Sequence, residues 1–345
     1  MEKINTIKKN TIEPVITLAY GNGGELTKKL IEEQFLTSFY NPILEELLDS
    51  GIVDFSGKLA FTTDSYVITP IFFKYGDIGS LSMYGTLNDL AVVGAQPLFI
   101  SLSFIIEEGL PIKDFKKIIN SIANVANETK VKIITGDTKV VDKNKGDKIF
   151  INTSGIGIIQ PQRDWRKREI NEDDIVIVSG DIGEHGLYIM LERLNIKTSE
   201  DIKSDAGYLG SFILPMLDNF DKIKFVRDAT RGGVATVLNE IASKYNVEIE
   251  INEEDIPFKD WVKNASEILG IDPLYSANEG KAVIIVDKTQ ANEVIDFLSK
   301  YPLASNSKII GKVVSKGRGR VYLKTRIGTK RILESLKGDI LPRIC

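Results

Sequence analysis

Residues 222–241 read KIKFVRDATRGGVATVLNEI, and the chain changes character twice within them. Ile223, Phe225 and Val226 give the apolar density of a short buried strand, closed by Asp228. Val234, Val237, Leu238 and Ile241 then fall on one helical stripe, so a helix follows at once. Thr230, Arg231, Gly232 and Gly233 form the junction between the two. An Arg at such a place can clamp a phosphate bidentately. Thr230 as a plain helix cap and Arg231 as a solvated charge fit the same pattern.

The alternation extends outward in both directions. KLAFTTD (58–64), PLFISLSFII (97–106), VKIITGD (131–137) and KIFINTSGIGII (148–159) read as strands, with FKKIINSIANVANETK (115–130) an amphipathic helix among them. DIVIVSG (174–180), KAVIIVD (281–287) and KIIGKVV (308–314) continue the strands, and ANEVIDFLSKY (291–301) the helices. The fold class is therefore α+β or α/β, with no repeat at a fixed period. With 345 residues, 43% of them hydrophobic, the chain supports about two cores. The charged, aperiodic stretch QPQRDWRKREINEDD (160–174) predicts the boundary near residue 165. The expected plan is an extension over 1–17, domains over 18–165 and 166–332, and a tail over 333–345 that ends in the chain's only cysteine, Cys345.

Lys and Arg total 44 against 48 Asp and Glu, a net charge of −4, so no basic surface is offered to nucleic acid or anionic lipid. No apolar run approaches the roughly 20 residues of a membrane span, and MEKINTIKKN lacks the core of a signal peptide, which predicts a cytoplasmic protein. A single cysteine cannot form an internal disulfide.

Candidate chemistry gathers where strands stop. Asp64, Asp137 and Asp228 are expected at strand ends, and Asp89 in GTLNDLAVVGA at the opening of a helix. Carboxylates on one edge of a sheet can converge on Mg²⁺, which takes one or two of them together with substrate phosphates. Each acid alone fits an ordinary cap equally well. Gly21, Gly23 and Gly24 precede a helix, where free N–H groups favour an anion, though such clusters are more often turns.

Residues 62–101, TGDTKVV (135–141), SGDIGEHG (179–186), RDATRGGVATVLNEIA (227–242), DPLYSANEGK (272–281) and PRIC (342–345) together resemble the HypE family of hydrogenase maturation proteins. That family belongs to the ATP-using superfamily of aminoimidazole ribonucleotide synthetase, selenophosphate synthetase and thiamine-phosphate kinase. The acids mark the superfamily and the terminal PRIC selects the member. Selenophosphate synthetases carry their reactive residue near the N-terminus, where this chain has no cysteine. It departs from the family at Tyr20, where His is common; its one histidine, His185, lies in a family-like segment and is left outside the catalytic set.

The resemblance implies a two-domain PurM-like fold whose N-terminal domains form a β-barrel at a homodimer interface. It implies a thiol, Cys345, that receives a carbamoyl group from the HypF carbamoyltransferase and is dehydrated with ATP to a thiocyanate. The cyano group passes to iron in a HypC–HypD complex. On this reading Lys139 and Glu279 flank the thiocarboxamide, in roles that are interchangeable; as plain residues both fit surface ion pairs. Asp64, Asp89, Asp137 and Asp228 resemble ligands of Mg²⁺ or its waters. Asn22, Gly23, Gly24, Thr86, Asn88, Thr138, Thr230 and Arg231 resemble nucleotide contacts. Two other readings remain: a thiol carrier with a regulatory nucleotide site, and a superfamily kinase or ligase acting on a free small molecule, which would leave Cys345 idle.

Overall fold

The computed structural model describes residues 14–21, 24–47, 50–198 and 200–336. In chain order its first half gives the short helices α1 (Glu25–Leu30), α2 (Thr37–Phe39) and α3 (Pro42–Glu45), then strand β1 (Lys58–Tyr66). A small hairpin of β2 (Phe72–Phe73) and β3 (Gly76–Asp77) leads into α4 (Ile78–Val92), β4 (Ala95–Glu107), α5 (Ile112–Thr129), β5 (Lys132–Val141) and β6 (Ile149–Ile159). The second half gives β7 (Ile175–Val178), α6 (Glu184–Arg193), α7 (Gly210–Asn219), β8 (Ile223–Asp228), α8 (Gly233–Tyr245) and β9 (Val247–Asn252). After them come α9 (Asp260–Leu269), β10 (Ala282–Val286), α10 (Ala291–Leu298), β11 (Lys308–Lys316), β12 (Val321–Lys324) and β13 (Lys330–Leu333).

Two sheets organise these elements. The first has the order β1-β6-β4-β5, antiparallel except for the parallel β4–β5 pair. The second has the order β13-β12-β9-β11-β7-β10-β8, antiparallel except for the parallel β12–β9 pair. Residue 165 lies in the connection from β6 to β7, between the sheets. That connection is packed: Trp165 is buried and its Nε1 donates to the Val92 carbonyl at 2.8 Å. The cores do not divide where the sheets do. Leu187, Tyr188 and Ile189 of α6, with Trp261, Val262 and Ala265 of α9, join Phe104 and Phe115 in the core of the first sheet. The expected tail also begins too early, since Leu333 is fully buried at the end of β13.

Helix α4 stands between the two halves, packed on β1, β6 and β4 and also on α7 and β8. It is buried on nearly every side, so it has no amphipathic stripe to read. Its start is chemical. The Asp77 carboxylate accepts from the N–H groups of Gly79 (2.8 Å) and Ser80 (3.0 Å), and Ser80 Oγ accepts from the Asp77 N–H at 3.1 Å, a capping box. Asp89 therefore lies near the end of this helix, and the expectation that it opens one is corrected. Asp137 likewise stands inside β5, whose pairing with the long β4 carries the strand on to Val141.

One face of the first sheet has no cover among the described residues. Leu59, Phe61, Thr63 and Ser65 alternate outward along β1, and Leu59 (47% exposed), Phe61 (69%) and Ile105 (46%) leave apolar surface open. Among the described residues the sheet closes no barrel of its own.

Replacing Asp77 by Ala removes the cap of the central helix and leaves Ser121 Oγ, now 2.5 Å from the carboxylate, without its acceptor. The expected cost is about 1–2 kcal/mol, read as a fall of a few degrees in melting temperature, with most of it recovered in Asp77→Asn.

Candidate active site

Three of the expected acids meet at the junction of the halves. Asp64 comes from β1, Asp89 from the last turns of α4 and Asp228 from the end of the edge strand β8. Thr62 Oγ1 donates to Asp89 Oδ2 at 2.7 Å and Tyr66 Oη to Asp64 Oδ2 at 3.0 Å. Burial pushes the Asp228 carboxyl up to about 7, and the charges of Asp89 and Asp64 push it the same way. Asp89 is raised by burial and by Asp64, against the Thr62 hydrogen bond and the nearby Arg227.

Glu279 completes this group. It is 3% exposed, and its Oε1 is buried with no hydrogen-bond partner among the described residues. Burial raises its pKa well above the usual range, with Asp205, Asp228 and Asp64 adding to the shift and Arg231 opposing it. The Arg231 guanidinium therefore lies within electrostatic reach of Glu279, while its own residue is exposed. Tyr66, held up by burial and then by Asp64 and Glu279, stands between the two acids. Gly85 makes room for it, since a Cβ there would come 2.0 Å from Tyr66 Oη.

The start of α8 is pressed against the same region. Gly232 and Gly233 take φ of +74° and +60°, and a Cβ on Gly233 would lie 2.5 Å from the Leu274 carbonyl oxygen. The Thr230 carbonyl accepts from the Gly233 N–H at 2.9 Å, so Thr230 helps to form this turn, half-exposed at its rim.

Asp137 and Lys139 are not brought to this cluster. Register pairs Asp64 with Thr153, Thr153 with Leu102 and Leu102 with Gly136, so the two acids lie on the opposite edge strands of the first sheet. Three strand spacings separate them by about 14 Å, and alternation turns Asp137 to the open face. There Lys139 Nζ sits 2.9 Å from Asp137 Oδ1 and, as a hydrogen bond, holds that carboxyl below its usual range, with both side chains exposed. They border a cleft of about 580 Å³ with Gly21, Thr27 and Thr138, over a floor that includes Phe35 and Phe104. Gly21 lies directly on β5, because a Cβ there would come 2.7 Å from the Val140 nitrogen. Gly24 precedes α1 with extended backbone. Asn22, Gly23 and Cys345 lie outside the described residues.

Thr86 and Asn88, expected at the nucleotide, have side chains that serve the interior in this structure. Thr86 is fully buried with Oγ1 2.5 Å from Thr153 Oγ1. Asn88, 1% exposed, donates to the carbonyls of Gly207 (3.0 Å) and Glu279 (3.3 Å) and accepts from the Leu209 N–H (2.7 Å). It ties α4 to two loops of the second half. Sequence reasoning missed Asp205 and Lys281, a buried pair 3.8 Å apart beside Glu279. Nothing in the local pattern marks Asp205, and Lys281 was visible only as the end of a family-like motif. His185, left out of the catalytic set, is fully buried with Nδ1 2.7 Å from Ser204 Oγ.

Among the described residues no group of three or more His, Cys, Asp or Glu forms a ready metal cage. The donor set nonetheless suits a hard cation, since mutually repelling carboxylates and an unpartnered buried Oε1 gain from a positive charge.

The two halves match the AIR synthase related protein models, the N-terminal domain over residues 48–159 and the C-terminal domain over 171–324. Carbamoyl dehydratase HypE of Cupriavidus necator is 40% identical over 332 residues, 96% of this chain and 95% of that protein. The chain belongs to the HypE family. A crystal structure of the hydrogenase maturation protein HypE in complex with ATP superposes with a TM-score of 0.91 at 39% identity, covering 95% of this chain and 99% of that one. A HypE–HypF complex matches at TM-score 0.77 and 41% identity, over 89% and 99% of the two chains. The two-domain α/β architecture is thus the PurM-like one. No helix of the described residues is long and apolar enough to cross a membrane.

A carboxyl whose pKa rises on folding, here from 3.8 to about 7, favours the folded state while protonated. This carboxyl therefore contributes stability that the metal-free protein loses as pH rises from about 4 to about 7. Asp228→Asn in EDTA is expected to melt a few degrees above the parent chain at pH 8 and nearly level with it at pH 4, measured by calorimetry.

Proposed function

We propose that this chain, as a member of the HypE family, dehydrates the S-carboxamide carried on its own Cys345 to a thiocyanate, using ATP. The product supplies the cyanide ligand for the iron of a [NiFe]-hydrogenase. The carrying observation is Glu279: a buried carboxyl with a free Oε1, in a cluster of acids at the domain junction. The HypE structure in complex with ATP supports the nucleotide, and the HypE–HypF complex supports HypF as a partner, whose role as carbamoyl donor rests on the resemblance. A HypC–HypD complex as the cyanide acceptor rests on the resemblance alone.

A carboxamide oxygen is a poor leaving group. Transfer of the γ-phosphoryl of ATP to that oxygen, with loss of one nitrogen proton, gives an imidoyl phosphate. Loss of the second nitrogen proton and cleavage of the C–O bond then release phosphate and leave the nitrile. Glu279 accepts a nitrogen proton, and its raised pKa makes it the stronger base once ionised. Arg231 favours that ionised form and borders the phosphoryl path with Thr230. Asp64, Asp89 and Asp228 would hold Mg²⁺, which when bound neutralises charge on the transferring phosphates. The cleft beside Gly21 and Thr138, with Asn22, Gly23 and Gly24 next to it in the chain, would carry the nucleotide phosphates.

The described part of the C-terminal segment is rooted close by. Tyr275 Oη donates to the Glu334 carbonyl at 2.7 Å and Asn239 Nδ2 to that of Leu333 at 3.0 Å, fixing the root of the C-terminal segment four residues before Glu279. The nine residues after Leu336 reach up to about 30 Å.

A homodimer accounts for the separation of Asp137 and Lys139. The open apolar face of the first sheet suits a second copy, and two such sheets can close as the β-barrel of the resemblance. A closure that sets β1 of one copy beside β5 of the other makes the strand that carries Asp137 and Lys139 the neighbour of the strand that carries Asp64, one strand spacing away rather than three. The catalytic and metal sets then come from two chains.

Incubating the S-carbamoylated chain with Mg-ATP alone and weighing its C-terminal peptide tests the activity: the mass of one water is lost, and Glu279→Gln or Cys345→Ala shows no such product. An unchanged mass in the parent chain is the behaviour of a thiol carrier. Mixing Asp137→Ala with Glu279→Gln tests the shared site. Random pairing is expected to restore about a quarter of parental turnover, from one complete site in half the dimers; no recovery places each site within one chain.

A further inference from the structure

Asp205 is a buried acid that the reaction does not consume. It lies between α6 and α7, 7% exposed, and both carboxylate oxygens go to the backbone of the Glu279 loop. Oδ1 accepts from the Glu279 N–H at 3.1 Å and Oδ2 from the Gly280 N–H at 3.3 Å. Lys281 Nζ stands 3.8 Å from Oδ2, also buried. In return the Gly207 N–H donates to the Glu279 carbonyl at 3.4 Å. A Cβ on Gly280 would fall 1.9 Å from the Asp205 carbonyl oxygen, so the two segments meet at a distance only glycine permits. Asn88 binds the carbonyls of both segments from α4, one residue before Asp89.

The Glu279 backbone is therefore gripped on both sides while its Oε1 has no partner. No hydrogen bond to that oxygen fixes where it points, so its aim depends on the backbone beneath it. Hydrogen bonds from backbone amides to a carboxylate are about twice as strong as neutral ones, which suits Asp205 to that task. We propose that Asp205 is a positioning residue, clamping the Glu279 and Gly280 amides so that the free oxygen of Glu279 is held at the reacting nitrogen. The inference rests on Glu279 as the proton acceptor.

The test uses the full-length chain, S-carbamoylated at Cys345 with potassium cyanate and mixed with Mg-ATP, followed by loss of water from the C-terminal peptide in a single turnover. A misplacement near 1 Å costs about 10²-fold. Asp205→Ala is expected to slow water loss by that factor, and Asp205→Asn, which keeps one acceptor, by about tenfold. The half-saturating ATP concentration should stay within about twofold in both. Asp205→Ala leaves Lys281 buried and unpaired, so Asp205→Ala with Lys281→Met separates folding from aim: the pair should melt near the parent chain and remain slow. A parental rate in that double variant overturns the proposal, as does a rise in half-saturating ATP that matches the fall in rate. Glu279→Gln run alongside tells the two readings apart. If it turns over normally, the proton acceptor is wrong; if it is dead while Asp205→Ala is normal, only the clamp fails.

Discussion

Carboxyl groups resist being gathered out of water, and this chain gathers Asp64, Asp89, Asp228 and Glu279 at one junction. Their mutual repulsion works against the fold, so the surrounding structure must hold them by other means. Asp89 stands on a helix capped at Asp77 and packed on both halves; Asp228 ends a strand of the second sheet; Glu279 lies on a loop tied by Asn88 and Asp205. None of these anchors depends on the acids themselves. The repulsion is thus stored in the metal-free protein and is relieved when positive charge enters.

That arrangement explains the unequal legibility of the sequence. Strands and helices with a clean period, such as 58–64, 115–130, 222–228 and 234–245, lie where the alternation places them, because each buries one face. Helix α4 buries nearly all of itself and so carries no stripe. With only capping chemistry to mark its start, Asp89 reads as a helix opening, and nothing in the sequence marks Thr86 and Asn88 as interior ties. In β5, Gly136 resembles a strand end, yet ladder pairing with β4 continues through Asp137 and Lys139. Local signals stop there; the sheet does not.

The candidate site follows the same division. The residue types that the proposed dehydration asks for, acids, a base and backbone donors, stand in the motifs. Which of them share a volume is not legible there. Asp64 and Asp137 read as equivalents in the sequence, and only register reveals that they occupy opposite edges and opposite faces of one sheet. Asp205 was invisible because its work is done on main-chain amides, and a residue that binds backbone leaves no spacing rule behind.

The placement of Cys345 fits these constraints. A thiol packed into the core would be committed to one site, whereas the proposed reaction asks Cys345 to accept a carbamoyl group, reach Glu279 and deliver a cyano group. The chain fixes the root of its C-terminal segment at β13, through Asn239 and Tyr275, and leaves a nine-residue reach beyond Leu336. Tyr275 belongs to the same short run that carries Glu279. The described root of the C-terminal segment and the loop of the proposed base therefore share an anchor, so the proposed reaction starts with its thiol-bearing segment tied at Tyr275 to the run that carries its base.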